Sequence, residues 1–136
     1  MSRSTPFDCE MRMVLPATLE AVEEFFVEFR RRSRAILDRG NCFAAELLVR
    51  EALTNAVLHG SKGDASKNIR CILRLRGRRL FIAVQDDGEG FDWRAARSAT
   101  AKVPECSGRG MQILRTYASR VRFNDKGNAA TMIKRI

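Results

Sequence analysis

Apolar and polar residues alternate along the first part of the chain and then recur at three- and four-residue spacing. Residues 9–15 alternate, which predicts a strand ending at Pro16. Thr18 then offers an N-cap for a helix that extends to about Leu37. The apolar residues of this helix share one face: Leu19, Val22, Phe25, Phe26 and Phe29. The pattern therefore predicts a strand followed by an amphipathic helix.

Gly40 interrupts the helical pattern, and a second helix is predicted after it. Asn41 is a good N-cap for a helix from about Cys42 to His59, and Gly60 stops it. The polar residues 61–68 then form a loop.

A β-hairpin follows this loop. Residues 69–76 alternate between apolar and basic positions, a turn lies at Gly77, and residues 79–86 form the returning strand. The returning strand is apolar on both faces, which is typical of a strand at the centre of a sheet.

The last part of the chain predicts one more helix and one more hairpin. Residues 110–119 carry apolar positions at helical spacing, and residues 121–124 and 129–136 read as paired strands. The order β-α-α-β-β-α-β-β predicts a single α/β domain over residues 1–136. We expect a two-layer sandwich, with helices covering one face of a mixed, mostly antiparallel sheet.

Composition indicates a globular cytoplasmic protein. The chain has 136 residues, of which 45% are hydrophobic and 30% charged. It contains no apolar run near the roughly 20 residues that a membrane helix needs, and no hydrophobic segment typical of a secretory signal. Its cysteines lack metal-site or disulfide spacing, so reduced and mostly buried thiols are expected; they are Cys9, Cys42, Cys71 and Cys106.

The net charge of +9 favours an anionic partner. No aromatic residues are interleaved with the basic ones, which argues against direct nucleic-acid binding. An acidic protein is therefore the expected partner, and the basic stretch Arg30–Arg34 is the predicted surface for it.

The second helix carries a polar stripe at four-residue spacing. Glu51, Asn55 and His59 share one side of an otherwise apolar helix. A carboxylate beside an amide oxygen suits Mg²⁺ binding and proton transfer. Taken alone, the same stripe is more typical of an ordinary solvated helix face.

The turn after the hairpin is a second candidate. Asp86 shares the parity of the apolar residues of its strand, so it would point toward the helices and could accept a hydrogen bond from an amino group such as that of adenine. Gly88 and Gly90 let the backbone approach a flat ring. Alone, D-x-G-x-G is also a common structural turn.

The third candidate is Ser107-Gly108-Arg109-Gly110, at the start of the predicted third helix. Backbone N–H groups at such a helix start can bind phosphate. The segment is neither a Walker loop nor a dinucleotide fingerprint, and alone it could equally be a flexible hinge.

Together the three motifs resemble the GHKL-type ATPases, a group that includes histidine kinase catalytic domains and gyrase. The motifs are E-x-x-x-N, D-x-G-x-G and G-x-G, in that order. Within the group, REALTNAVLHG, VQDDGEGFD and SGRGMQIL look most like the anti-sigma factor serine kinases of stress and sporulation switches. The resemblance covers about residues 10–136 and implies the histidine-kinase-like ATPase (Bergerat) fold.

This resemblance implies a Mg-ATP site within residues 46–131. Asn55 would bind Mg²⁺, Glu51 would be the catalytic base, and Asp86 would bind adenine with help from Thr131. A lid would cover ATP at about residues 92–106. The other implied nucleotide-binding residues are Gly88, Gly90, Ser107, Gly108, Arg109, Gly110 and Met111. Arg109 departs from the smaller or apolar residue often found between the two glycines.

The resemblance also implies a function. The chain would be a serine/threonine protein kinase and anti-sigma regulator that binds a sigma factor and phosphorylates an anti-sigma-factor antagonist; homodimers are common among such proteins. One alternative is a nucleotide-gated binding module without transfer, against which Glu51 argues. Another is a related switch kinase that acts without a sigma factor.

Overall fold

The computed structural model describes residues 9–62, 64–88, 112–124 and 128–136. None of the helices in these ranges is long and apolar enough to cross a membrane. The strands are β1 (Cys9–Pro16), β2 (Asn68–Arg76), β3 (Arg79–Asp86), β4 (Arg120–Phe123) and β5 (Ala129–Arg135). The helices are α1 (Leu19–Ser33), α2 (Arg39–Asn55), a π-helical turn (Ala56–Gly60) and α3 (112–117).

The strands form one sheet in the order β1-β2-β3-β5-β4. β3 lies at its centre, as the apolar character of both its faces predicts. The predicted α/β sandwich is confirmed. Every pair of described strands is antiparallel, so the parallel pairing that a mixed sheet would include does not occur among them.

One hydrophobic core lies between the helices and one face of the sheet. Alternate residues of the predicted hairpin, such as Leu73 and Ile82, are buried in it together with residues of α1 and α2. The rings of Phe26 and Phe29 meet edge to face with centroids 5.4 Å apart. The apolar face predicted for the first helix is thus the face that packs on this core.

Two arginines join α1 to α2 at the rim of the core. Arg30 donates two hydrogen bonds to Glu46, with donor–acceptor distances of 3.0 and 2.6 Å. Arg50 contacts Glu23 at 2.5 Å and places its guanidinium 4.3 Å from the centroid of the Phe26 ring. These contacts fix the position of α2, the helix that carries the candidate catalytic stripe.

The sequence predicts the four ends of the first two helices, and three of these ends differ in the structure. Thr18 is the N-cap of α1, as predicted, and accepts a hydrogen bond from the Ala21 amide at 3.0 Å. α1 ends at Ser33 instead of about Leu37. The N-cap of α2 is Asp38 instead of Asn41, because the Asp38 carboxylate accepts a hydrogen bond from the Asn41 amide at 2.8 Å.

The helix that begins as α2 ends in a π-helical turn, which is wider than a turn of α-helix. Its α-helical part stops at Asn55, and the predicted continuation to His59 is a π-helical turn. The Ser61 amide donates to the Ala56 carbonyl at 2.8 Å, a bond that spans five residues. Such turns occur frequently at functional sites.

The cysteines of the described ranges vary in exposure. Cys71 is buried in the core, Cys42 is partly buried and Cys9 is exposed, all three as free thiols. Burial raises the pKa of the Cys71 thiol to about 12, so this side chain remains a neutral core residue. Cys106 lies outside the described residues.

Candidate functional site

Asn55 combines a buried oxygen with a link to Glu51. Its side-chain amide donates a hydrogen bond to the Glu51 carboxylate one helical turn earlier. Its Oδ1 atom is buried and has no hydrogen-bond partner among the described residues. Since buried polar atoms are normally paired, this oxygen is a candidate acceptor for a bound ligand.

Glu51 is the half-buried carboxylate of this pair. Burial raises the pKa of its carboxyl group above its usual range, and the hydrogen bond from Asn55 offsets part of that shift. A carboxylate with a raised pKa is a better proton acceptor than an exposed one, which suits a general base.

Asp86 lies at the end of β3 with its side chain on the face that the helices cover. It is 5% exposed. Its Oδ1 atom accepts a hydrogen bond from the Gly88 amide at 2.7 Å. Its backbone is held by Asn128, whose carbonyl accepts from the Asp86 amide at 2.9 Å and whose side-chain amide donates to the Asp86 carbonyl at 3.1 Å. The strand parity that predicted this orientation agrees with the structure.

Two glycines pack tightly around Asp86. A Cβ atom added to Gly60 would lie 2.1 Å from Asp86 Oδ2, and one added to Gly88 would lie 1.7 Å from the Gly60 carbonyl oxygen. Neither position tolerates a larger residue without movement of its neighbours. The end of the π-helical turn and the end of β3 are therefore in direct contact.

Asn55 and Asp86 line the same cavity. Most of its wall is made of apolar side chains. The lining residues are Ala52, Asn55, Ala56, Val84, Asp86, Leu114, Phe123, Asn128, Ala129 and Ala130. Two of the three predicted motifs thus converge on one cavity.

Thr131 does not reach this cavity. It pairs with Ala83 in the sheet and its side chain is exposed. Because strand side chains alternate between faces, Thr131 lies on the face opposite Asp86. The expectation that Thr131 assists at adenine is therefore corrected: Ala130, which pairs with Val84, is its neighbour on the cavity side.

The predicted phosphate-binding motif lies outside the described residues. This holds for Gly90, for the lid at 92–106 and for Ser107, Gly108, Arg109, Gly110 and Met111. Their roles stay predictions. His59 lies half-buried on the π-helical turn.

The structure adds Gly60 and Asn128 to the candidate site. The sequence pattern indicated Gly60 as a helix stop, and nothing local to it signals the contact with Asp86. Asn128 lies in a predicted turn, and its hydrogen bonds to Asp86 join residues distant in sequence. Only the tertiary structure reveals either role.

The donor set near Asn55 fits a Mg²⁺ ion held mainly by phosphates. No group of three or more His, Cys, Asp or Glu side chains that could hold a metal occurs within the described ranges. Mg²⁺ bound with a nucleotide does not need such a cage, because it takes few protein oxygens and completes its shell with phosphates and water. Asn55 Oδ1, which has no hydrogen-bond partner among the described residues, is an oxygen of the type that could take part in such a shell.

Comparison with known proteins identifies the family. The model of the histidine kinase-like ATPase domain matches residues 14–134. This chain belongs to that family, and the resemblance to GHKL-type ATPases inferred from the motifs is confirmed. Membership implies that the domain binds ATP.

Two individual proteins are similar to this chain. The anti-sigma F factor of Anoxybacillus flavithermus is 28% identical over 93 residues, which cover 65% of this chain and 64% of that protein. The histidine kinase domain of the Erythrobacter litoralis EL346 blue-light activated histidine kinase matches with a TM-score of 0.48 and 21% identity, over 68% of this chain and 42% of that one. The anti-sigma match supports the narrower resemblance to anti-sigma factor kinases.

Replacing Gly60 or Gly40 by alanine should change the stability of the protein in opposite directions, because only Gly60 lies against Asp86. Gly60→Ala should lower the free energy of unfolding by about 1–3 kcal/mol, because the added methyl group overlaps the carboxylate. Gly40→Ala should raise it by about 0.5 kcal/mol, because its nearest neighbour would be 3.7 Å away and alanine favours the helix. Urea unfolding measures both, and equal effects would contradict the proposed contact.

The raised pKa of Glu51 predicts a pH-dependent gain in stability for Glu51→Gln. Above the folded-state pKa the wild-type protein holds a partly desolvated negative charge, which the amide does not carry. The variant should therefore be more stable than wild type at neutral pH. The difference should shrink as pH falls through the folded pKa and vanish below the ordinary glutamate pKa of about 4.3.

Thermal unfolding of the two proteins between about pH 4 and pH 8 measures this effect. Glu24→Gln, which removes the same charge from an exposed position of α1, serves as the reference. A stability difference that stays constant across this range, or that reverses, would show that burial does not raise the pKa of Glu51.

Proposed function

We propose that this chain is an ATP-dependent serine/threonine protein kinase that acts as a cytoplasmic anti-sigma regulator of transcription. It binds a sigma factor and phosphorylates an anti-sigma-factor antagonist. Family membership and the similarity to an anti-sigma F factor support this proposal. The matched region spans 64% of that relative's length, so the partners are carried over to this chain as a proposal, and the activity is argued from the site as well.

The observation that carries the proposal is the pair formed by Glu51 and Asn55 beside the cavity of Asp86. A half-buried carboxylate with a raised pKa is linked to an amide whose oxygen is buried and has no hydrogen-bond partner in the part of the chain that the structure describes. Asn55 lines the same cavity as Asp86. A module that only binds nucleotide does not need a proton acceptor next to the oxygen that takes Mg²⁺.

Asp86 and Asn55 have separate roles in binding the nucleotide. Asp86, held by Gly88 and Asn128, accepts a hydrogen bond from the exocyclic amine of adenine. Asn55 would hold Mg²⁺ through its Oδ1 atom, with the nucleotide phosphates supplying other oxygens. When bound there, Mg²⁺ would supply positive charge that offsets the charge of the transferring phosphoryl group.

Glu51 accepts the proton of the partner's seryl or threonyl hydroxyl. As that proton leaves, the hydroxyl oxygen bonds to the γ-phosphorus of ATP and the bond from phosphorus to the ADP oxygen breaks. The products are ADP and a phosphorylated partner. The Asn55 amide orients the Glu51 carboxylate during this step.

The proposed base role predicts a kinetic effect without a binding effect. Glu51→Gln should lower phosphorylation of the partner about 10²- to 10⁴-fold, because the amide cannot accept the proton. Its affinity for ATP should change little. The assay incubates the purified chain with γ-labelled ATP and antagonist candidates encoded near its gene, followed by identification of the phosphorylated amino acid.

The outcome separates the proposed kinase from its alternatives. Label on serine or threonine of the wild-type reaction, lost in Glu51→Gln, supports the proposal. Nucleotide-dependent capture of the partner with no covalent label would contradict it and favour a binding module. Label on a partner while sigma factors fail to bind would favour a switch kinase outside sigma control.

The adenine role of Asp86 predicts a binding effect that its neighbour does not share. Asp86→Asn should weaken ATP binding about 10- to 100-fold, because a charged hydrogen bond is lost. Asp87→Asn removes the same charge from the adjacent, exposed carboxylate and should leave the affinity nearly unchanged. Calorimetric titration measures both, and equal losses would contradict the assignment of Asp86.

A further inference from the structure

The sheet face opposite the helices, which we call the open face, is strongly basic. It carries the side chains that alternate with the core residues. The strand register places eight exposed arginines on it: Arg12, Arg70, Arg74, Arg76, Arg79, Arg120, Arg122 and Arg135. In the described part of the chain, Glu10 and Asp87 are the carboxylates beside them. Counting the described residues, the open face therefore carries six more positive than negative charges.

The centre of the open face is apolar. Ile72 and Ala83 pair across β2 and β3, and Phe81 and Ile133 pair across β3 and β5. All four side chains are partly exposed. Arginines lie on both sides of this centre, since β1 and β4 are the outer strands of the sheet. An apolar centre within a charged rim is the arrangement of protein interfaces.

The open face already binds carboxylates of its own chain. Arg74 contacts Glu10 at 3.5 Å, and Arg70 contacts Asp87 at 3.6 Å. Guanidinium groups pair with carboxylates through a planar fork of donors, which gives such contacts direction. Arginines in these positions can therefore hold the carboxylates of a partner.

The basic stretch on α1, which the sequence predicts as the partner surface, forms ion pairs with carboxylates of the helical layer. Arg30 pairs with Glu46 at 2.6 Å. Arg31 and Arg32 both pair with Glu28, at 2.6 and 2.7 Å. Three of the basic side chains in the stretch 30–34 thus have carboxylate partners of their own. The open face has the larger excess of positive charge.

We propose that the open face docks an acidic amphipathic helix of a partner protein. The apolar stripe of that helix packs on Ile72, Phe81 and Ile133, and its glutamates or aspartates meet the arginines on either side. The three central strands together span about 10 Å, close to the diameter of a helix. The two-layer sandwich would thereby gain a third layer.

Charge and surface chemistry favour this occupant over two others. A second copy of the chain would bring two equally basic faces together, which like-charge repulsion opposes. Nucleic acid matches the charge, but Phe81 is the one aromatic ring on the described part of the face, and phosphates gain nothing from an isoleucine-rich centre. The open face is on the other side of the sheet from the nucleotide site, so helix docking there can be tested independently of the proposed kinase activity.

The test measures binding of a designed acidic peptide to the full chain. The probe is a fluorescein-labelled helical peptide of about 18 residues, about 27 Å long, with leucines at i, i+3, i+4 and i+7 and glutamates on the flanks. A version with lysine in place of glutamate is the peptide control. Fluorescence anisotropy should show binding of the acidic peptide alone, and weaker binding as salt rises from about 50 to about 300 mM.

Matched charge reversals locate the contact. Arg120→Glu with Arg122→Glu should weaken peptide binding about tenfold or more, since both arginines lie on the open face. Arg34→Glu with Arg39→Glu changes the net charge equally but lies in the helical layer, so it should weaken binding less than about threefold. Ile72→Thr, which keeps a β-branched residue in the strand, should weaken binding severalfold. Circular dichroism melting confirms that each variant is folded.

Three results would overturn the proposal. Equal loss of peptide binding in both double variants would mean that only total charge matters. Tighter binding of a duplex DNA of similar length, lost in the Arg120 and Arg122 variant, would assign the face to nucleic acid. A wild-type dimer in light scattering that the same variant dissociates would assign it to a second copy of the chain.

Discussion

The close contact between Gly60 and Asp86 holds the candidate site together. It brings the end of the π-helical turn against the end of β3, with no room for a side chain at Gly60 or at Gly88. Asn55 lies just before this turn and Asp86 is buried under it, so both line one cavity. If these two ends were further apart, the amide oxygen near Glu51 and the carboxylate of Asp86 could not serve the same ligand.

Alternation along the strands made much of this predictable from sequence. The hairpin of β2 and β3 and the orientation of Asp86 follow from the spacing of apolar residues, and the central position of β3 follows from the apolar character of both its faces. The same rule explains the error at Thr131, whose role is implied by the family resemblance although its parity places it with Ala83. The neighbours Ala129, Ala130 and Met132 are all apolar, so the strand pairing with β3 is needed to assign the two faces.

Other features depend on contacts between distant residues, which no local pattern reveals. Asp38 and Asn41 are both good N-caps, and the structure selects Asp38. The π-helical turn has no signature in its own sequence, and Gly60 reads as an ordinary helix stop. From the net charge of +9 and the basic stretch Arg30–Arg34, the sequence predicts a partner surface on the first helix. The strand register instead concentrates basic side chains on one face of the sheet.

The central claim is that the end of α2 and the end of β3 bind one adenine nucleotide. The most direct measurement is a nuclear magnetic resonance titration of the labelled chain with ATP and Mg²⁺, following the backbone amides of Gly60 and Gly88 and the side-chain amide of Asn55. We predict that all three signals shift together and follow one Kd. Signals that stay unchanged while nucleotide binds, or that follow separate affinities, would contradict the claim.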